Sequence, residues 1–392
     1  MSKIAFTIGP LDADQGAGLT VATAGWARAL ASLGGTQMTV FGRNPGKPVE
    51  KSLWEGVAVR MRGKPAGRLG ELDLGLRSAI AAEHPAIIHS HGLWLAHQYS
   101  AWQAAKGAGI PRLVSPHGHL DAWALGRGRL KKAIAWRLYQ RASLNAATCL
   151  HALHEGEVSA IRAVGLNNPV CVIPNGVGEA VASGGPAPWQ SIFPPDAKIL
   201  LFLGRITHQK GAVDLVRAWG RIARDPMILR EKWKLALVGW PDPDVVGRVQ
   251  TEIADNAMND SVQIFDAQHG TAKANCFAGA SAFILPSRSE GLPVAILEAW
   301  SYGLPVAMTA ACNLPIGFAE GAAVEVGLEP VALAVGLKDF LSLPGAKLRA
   351  LGSRGRQLTQ TLFSWEYVAK QMMEVYSWCR KQSPAPATMR FP

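Results

Sequence analysis

Residues 285–306 read Leu285-Pro286-Ser287-Arg288-Ser289-Glu290-Gly291-Leu292-Pro293-Val294-Ala295-Ile296-Leu297-Glu298-Ala299-Trp300-Ser301-Tyr302-Gly303-Leu304-Pro305-Val306. The apolar run 281–285 predicts a buried strand. Residues 286–291 make a polar turn, and Pro293 suits the first turn of a helix, where a missing N–H costs nothing. That helix is expected to reach about residue 302 and to stop at Gly303; the next strand begins at Val306. The strand–loop–helix–strand unit carries two carboxylates, Glu290 on the loop and Glu298 on the helix's second turn. A helix N-terminus favours phosphate, and Gly291 lets backbone approach a ligand. Carboxylates avoid phosphate but accept hydroxyl hydrogens, so the pattern suits a nucleotide sugar. Spacing alone leaves open that both are ordinary solvated carboxylates.

The same unit recurs along the chain. Expected strands at 3–9, 37–42, 57–62, 86–90, 112–115, 147–153 and 170–174 alternate with helices at 19–33, 70–83, 95–107 and 155–164. A second series of strands, at 199–203, 234–239, 262–265, 281–285 and 306–309, alternates with further helices. Such alternation predicts an α/β fold with two parallel doubly wound sheets, whose ligands bind at the strands' carboxyl ends. The 392 residues allow two domains with a core each. We expect an N-terminal domain at 1–177, a linker at 178–198 rich in Gly, Pro, Ser and Ala, and a C-terminal domain at 199–363. A terminal helix at 364–382 offers Trp365, Val368, Met372, Val375 and Trp378 for packing, and 383–392 reads as a mobile Pro-rich tail.

Hydrophobic residues make 48% of the chain and charged ones 18%, which indicates an ordered chain rather than a disordered one. Five cysteines without CxxC spacing read as reduced thiols in a cytoplasmic protein, with no zinc site. No signal peptide and no membrane-spanning run is expected. The net charge of +11 is uneven: residues 1–185 hold 19 Lys and Arg against 11 Asp and Glu, and the rest hold 21 against 18. A basic first half points to an anionic partner.

Chemistry-bearing residues fall at strand ends. Gly16 and Gly18 form a glycine-rich turn after the first strand, able to cradle phosphate or to serve as a plain turn. His89-Ser90-His91-Gly92-Leu93-Trp94 and Ser115-Pro116-His117-Gly118-His119-Leu120-Asp121 follow two later strands. Histidine pairs can bind metal, but no acidic shell accompanies them. Residues 127–141 place Leu130, Ile134, Ala135, Trp136 and Leu138 beside Arg127, Arg129, Lys131, Lys132, Arg137 and Arg141. This is either a solvated helix or a surface for anionic lipid. Gly204-Arg205-Ile206-Thr207-His208-Gln209-Lys210-Gly211 puts two cations on a strand-end loop, able to neutralise a diphosphate. Gly239 closes a further turn toward the same ligand.

Four segments together resemble family 4 of the retaining nucleotide-sugar glycosyltransferases, which have the GT-B fold. They are Ser289-Glu290-Gly291-Leu292-Pro293 with Glu298, the Gly204-Arg205…Lys210-Gly211 frame, the histidine segments, and Pro174-Asn175-Gly176-Val177. The resemblance implies two Rossmann-like domains facing a cleft, the second binding donor, and a terminal helix that crosses back to the first. It implies that Glu290 contacts the donor hexose and Glu298 its ribose, and that Arg205 and Lys210 hold the diphosphate. Gly16, Gly18, Gly204, Gly239, Gly291, Leu292 and Pro293 would approach the donor. His117 would reach the hexose, and His91, Trp94, His119 and Asp121 would line the acceptor side. The family text has Gly-Phe-Gly after its first Glu; Gly291-Leu292-Pro293 lacks one backbone donor. Gly178 stands where the family has Asp.

The implied reaction is metal-independent hexose transfer with retention, from a UDP- or GDP-hexose to an acceptor hydroxyl, with no cofactor. The histidine segments and Cys312-Asn313-Leu314-Pro315 are similar to bacterial exopolysaccharide and O-antigen transferases. That suggests a lipid-linked saccharide acceptor at the inner face of the cytoplasmic membrane. Two alternatives stay open: a nucleotide-sugar epimerase on the same fold, and a basic nucleic-acid-binding protein, although no helix-turn-helix, zinc or RNP text is present.

Overall fold

In the first parallel sheet, β1 (Ser2–Pro10), β2 (Thr36–Arg43), β3 (Ala58–Arg62), β4 (Ile87–His91), β5 (Arg112–Ser115), β6 (Cys149–Ala152) and β7 (Val170–Val172) lie in the order β3-β2-β1-β4-β5-β6-β7. In the second, β8 (Lys198–Leu203), β9 (Trp233–Val238), β10 (Val262–Phe265), β11 (Ala282–Leu285), β12 (Val306–Met308) and β13 (Ala323–Glu325) lie in the order β10-β9-β8-β11-β12-β13. A last short strand, β14 (Met389–Arg390), pairs antiparallel with β7. The coordinates are a computed structural model that describes residues 2–43, 49–62, 74–181 and 184–392. Part of the helix expected at 70–83 lies outside them; the described helix there is Leu74–Ala82.

Both sheets follow the doubly wound pattern, with strand order reversing between β1 and β4 and again between β8 and β11. Their central strands are buried on both faces, as continuous apolar runs such as Ala282-Phe283-Ile284-Leu285 require. Loops that leave parallel strands at their carboxyl ends share one edge. That edge, at the reversal point, is where this architecture binds ligands.

The chain divides into two compact units, 1–176 with 365–392, and 177–364. Helix Trp365–Cys379 belongs to the first. Its Val368, Ala369, Met372, Val375 and Tyr376 share one core with Ile4, Phe6, Trp26 and Leu30. Trp365 meets Trp26 edge-on at 5.6 Å. A Cβ on Gly25 would fall 2.1 Å from Trp365, so only glycine admits that indole.

Several sequence expectations change. The strand β1 runs to Pro10 and the following helix, Ala13–Ser32, starts after only Leu11 and Asp12. Gly16 and Gly18 therefore lie in helix rather than in a phosphate-cradling turn, because the connection is too short to hold them. Pro293 is the N-cap of helix Val294–Ser301, one position outside the first turn. The stretch expected as a linker packs into the second unit, with Ala187, Trp189 and Phe193 buried. The tail expected to be mobile is tied down through β14, where Met389 is buried and Arg390 pairs with Glu155 at 2.8 Å. Among the described residues, no helix is long and apolar enough to cross a membrane.

Candidate active site

In the second unit the reversal point lies between β8 and β11, and the two loops leaving those strands are laced together. Arg288 N donates to Gln209 O at 2.8 Å, and Gln209 Nε2 donates to Ser289 O at 2.8 Å. The Arg288 guanidinium forks onto Asp214 Oδ2 at 2.8 and 3.2 Å. Lys210 and Glu290 meet across this seam, Nζ to Oε1 at 2.6 Å, with side chains only 16% and 9% exposed. Ser287 Oγ donates to the same carboxylate. A pair this buried is costly to break from one side, since the survivor keeps its charge without a partner.

The loop after β12 supports Glu290 from behind. Glu290 N donates to Ala311 O at 3.1 Å, and Asn313 Nδ2 donates to Glu290 O. Thr309 Oγ1 donates to Ser287 O at 2.6 Å, and the Cys312 thiol to Leu285 O at 3.4 Å. Burial first, and then the Glu290 charge, push that thiol up to about 12, so Cys312 stays protonated. Cys312 and Asn313 thus position the Glu290 loop.

Glu298 stands on the second turn of helix Val294–Ser301, as expected, and pairs with Lys273 at 2.6 Å. Arg205 is exposed on the β8 loop. Gly204 and Gly239 end neighbouring strands; a Cβ on Gly239 would lie 1.6 Å from Gly204 O, so that position admits glycine alone. Gly291 has open space around it, and Leu292 is buried.

The first unit gathers histidines at the carboxyl ends of β4 and β5. His91 Nδ1 lies 3.0 Å from His117 Nε2. Burial, and then neighbouring imidazoles, hold both rings well below the ordinary histidine range. Two neutral rings in contact share one proton across that line. His117 adopts φ +54°, a left-handed conformation that side chains other than glycine rarely take. Its loop is held by buried Glu157, which accepts from Gly118 N and, at 2.6 Å, from Leu153 N. Burial raises the Glu157 carboxyl to about 7. His119 Nδ1 accepts from Leu93 N at 3.0 Å, which leaves the ring proton on Nε2. Burial lowers His119 to about 4 and raises Asp121 above the usual carboxylate range. Trp94 is half-buried against Trp136, 6.2 Å between ring centroids.

Beneath these residues runs a chain with a fixed direction. His151 Nε2 must donate to the carbonyl of Ile173 at 2.7 Å, so His151 Nδ1 accepts from Ser115 Oγ at 2.7 Å. Ser115 then accepts from His89 Nε2 at 2.6 Å, and His89 Nδ1 accepts from Tyr376 Oη at 2.7 Å. The chain ties the terminal helix to the centre of the first sheet. Among the described residues no group of three His, Cys, Asp or Glu is arranged to hold a metal ion.

Two family models match the two halves: the glycosyl transferase 4-like domain over residues 17–176, and glycosyl transferases group 1 over residues 187–358. The chain is a glycosyltransferase with the GT-B fold. This glycosyltransferase is 27% identical to alpha-maltose-1-phosphate synthase of Mycobacterium tuberculosis, over 80% of this chain and 84% of that one. It is 29% identical to D-inositol 3-phosphate glycosyltransferase 2 of Catenulispora acidiphila, over 79% and 75%. Its fold matches sucrose-phosphate synthase from Thermosynechococcus elongatus with a TM-score of 0.75 at 23% identity, covering 98% of this chain and all of that one. HepE of Anabaena, solved in complex with UDP and glucose, matches at 0.76 and 17% identity over 96% and 100%.

The sequence reading missed Lys273, Ser287, Glu157 and the Tyr376–His89–Ser115–His151 chain. Lys273 and Glu298, Glu157 and Gly118, and the members of the chain are remote in sequence from one another; Ser287 is only three residues from Glu290, but a lone serine in a polar turn marks nothing.

Proposed function

We propose that this glycosyltransferase moves a hexose from a UDP- or GDP-hexose to an acceptor hydroxyl with retention at the anomeric carbon. The observation that carries the reading is the buried Lys210–Glu290 pair at the β8/β11 reversal point. It offers a cation for diphosphate and a carboxylate for hexose hydroxyls within one seam. Arg205, Lys210 and the N-terminus of helix Val294–Ser301 stabilise charge on the leaving diphosphate, and no metal is needed for that step. Glu298 holds the ribose, exchanging its hydrogen bond to Lys273 for one from a hydroxyl. The acceptor oxygen bonds to the anomeric carbon as the bond to diphosphate breaks on the same face, and the acceptor proton passes to a diphosphate oxygen. We assign His117 to the hexose, and His91, Trp94, His119 and Asp121 to the acceptor.

The basic first unit supports an anionic acceptor, in keeping with the phosphates named in the curated relatives. Within that class the surface at 127–141 favours a lipid-linked saccharide at the inner face of the cytoplasmic membrane, as in exopolysaccharide or lipopolysaccharide synthesis.

The test is thermal unfolding against UDP-, GDP- and ADP-sugars with and without EDTA, followed by NMR of the product's anomeric proton. A ligand that binds only the folded state raises stability by about 2.7 kcal/mol at a hundredfold excess over Kd. A shift with one base that survives EDTA, and a product of unchanged anomeric configuration, are expected. An inverted product overturns retention; sugar isomerised without acceptor assigns an epimerase instead.

A further inference from the structure

The segment that follows His117 presents an apolar ridge to solvent. Helix Arg129–Ala135 continues through a π-helical turn, Trp136–Gln140, into Arg141–Asn145. Trp136 and Leu144 turn inward to a core with Leu93 and Leu120. Leu130, Ile134 and Leu138, spaced by four, stay 76%, 52% and 76% exposed. Trp123 stands 41% exposed nearby, with the Arg127 guanidinium 4.4 Å from its ring centroid. A helix of a soluble domain normally buries such a stripe. Here the buried stripe is a different one, and the ridge is left over.

Charge along the segment that carries the ridge has one sign. Residues 122–154 contain six cations, Arg127, Arg129, Lys131, Lys132, Arg137 and Arg141, and no Asp or Glu. On the face next to the ridge opens a pocket of about 640 Å³, with Trp94, Leu125 and Trp136 as apolar walls and Arg129, Lys132 and Arg137 beside them. The buried Trp94 Nε1 has no hydrogen-bond partner.

We propose that this ridge docks on an anionic phospholipid bilayer, and that the pocket beside it takes one anionic lipid of that leaflet. The partner must be apolar within and negative at its surface, and a bilayer of anionic lipid is both. Nucleic acid matches the charge but gives the three aliphatic side chains nothing to enter. A second copy docked face to face would set the same cations against each other. In a bilayer Leu130, Ile134 and Leu138 enter the acyl layer, and Trp123 sits at its boundary, where tryptophan is enriched. Lipid phosphate meets the cations, and lipid hydrocarbon the tryptophan walls. The inference deepens the proposed lipid-linked acceptor, yet vesicle binding is measured with no sugar donor present, so either can fail alone.

The experiment is sedimentation of the full chain with vesicles of phosphatidylcholine alone or mixed with phosphatidylglycerol. Binding to the mixed vesicles only, weakened by salt, is expected. The double substitution Leu130→Ser with Leu138→Ser should weaken it tenfold or more while the melting temperature holds, since both side chains are already exposed. Lys131→Gln with Arg141→Gln should weaken it by roughly fivefold per cation, from the attraction of each basic residue to an anionic surface. No sedimentation, equal sedimentation with neutral vesicles, or binding untouched by both double variants overturns the proposal. A concentration-dependent dimer that the leucine variant abolishes overturns it too, and assigns the ridge to a second copy.

Discussion

The two units place polar side chains at the same topological position and do opposite things with them. At the β4/β5 edge of the first, burial keeps His91, His117 and His119 neutral. Their contacts are hydrogen bonds between uncharged groups. At the β8/β11 edge of the second, Lys210–Glu290, Lys273–Glu298 and Arg288–Asp214 are opposite charges in contact. A neutral, desolvated wall can orient hydroxyls without competing for a proton. A charged seam can receive an ionic ligand by exchanging one partner for another, without creating charge in a buried place. The contrast fits the proposed placing of the diphosphate at the second edge, where one charged partner can be exchanged for another.

The severest break is Lys210→Ala. On the proposed reading it removes a cation from the leaving group, and it leaves buried Glu290 with Ser287 but no opposite charge, so kcat/KM should fall by roughly 10²–10³, as for loss of one preorganised charge stabiliser. Folding should survive, and full activity would remove Lys210 from the site. Next is Gly239→Ala. Its methyl collides with Gly204 O, and overpacking of this kind costs about 1–3 kcal/mol. Denaturant unfolding of the purified variant measures it, and an unchanged midpoint would show that β8 and β9 yield at their ends.

Acid should sharpen the difference between the units. His97, His119 and His151 are lowered to about 4 by burial, against 6.5 for the ordinary group. Between these values the unfolded chain takes up protons that the folded one refuses. Their contribution is therefore present above about pH 6.5 and lost as pH falls toward 4. Glu157, raised to about 7, works the other way, favouring the fold as pH falls from 7 toward its ordinary 4.5. With His89, His91, His117 and His154 also lowered and Asp121 also raised, seven histidines stand against two carboxyls and make acid net destabilising for the first unit. Tryptophan fluorescence on heating at pH 7 and pH 5 should show a lower melting temperature at pH 5; a higher one would mean that Glu157 dominates. The mildest test is Lys273→Ala, which removes the partner that Glu298 exchanges for the ribose and should lower the donor KM by a few-fold with kcat kept. A kcat loss equal to that of Lys210→Ala would place Lys273 on the diphosphate.

Much of the second edge was legible because its residues are local. Glu290 and Glu298 lie on one strand–loop–helix unit, and a period change from apolar strand to helix marks it. Lys210 follows its own strand by a few residues, so position at a strand end suffices. What the sequence could not show is pairing: nothing local says that Lys273 faces Glu298, or that Glu157 caps the turn after His117. The short β1–helix connection was misread because Gly16 and Gly18 look like a turn, whereas Pro10 still belongs to the strand. The Pro-rich end was misread for a related reason. Composition speaks for mobility, and only the free edge of β7 gives Met389 and Arg390 something to pair with.

That last strand has a consequence for synthesis. The first unit is interrupted at Gly176 and resumes at Trp365, so residues 177–364 leave the ribosome while its hydrophobic centre still lacks Val368, Met372, Val375 and Tyr376. Domains tend to fold as they emerge, the earlier one first. Here the order should invert: the later-made unit is complete in one stretch, and the earlier one stays open until Trp365–Cys379 has been made.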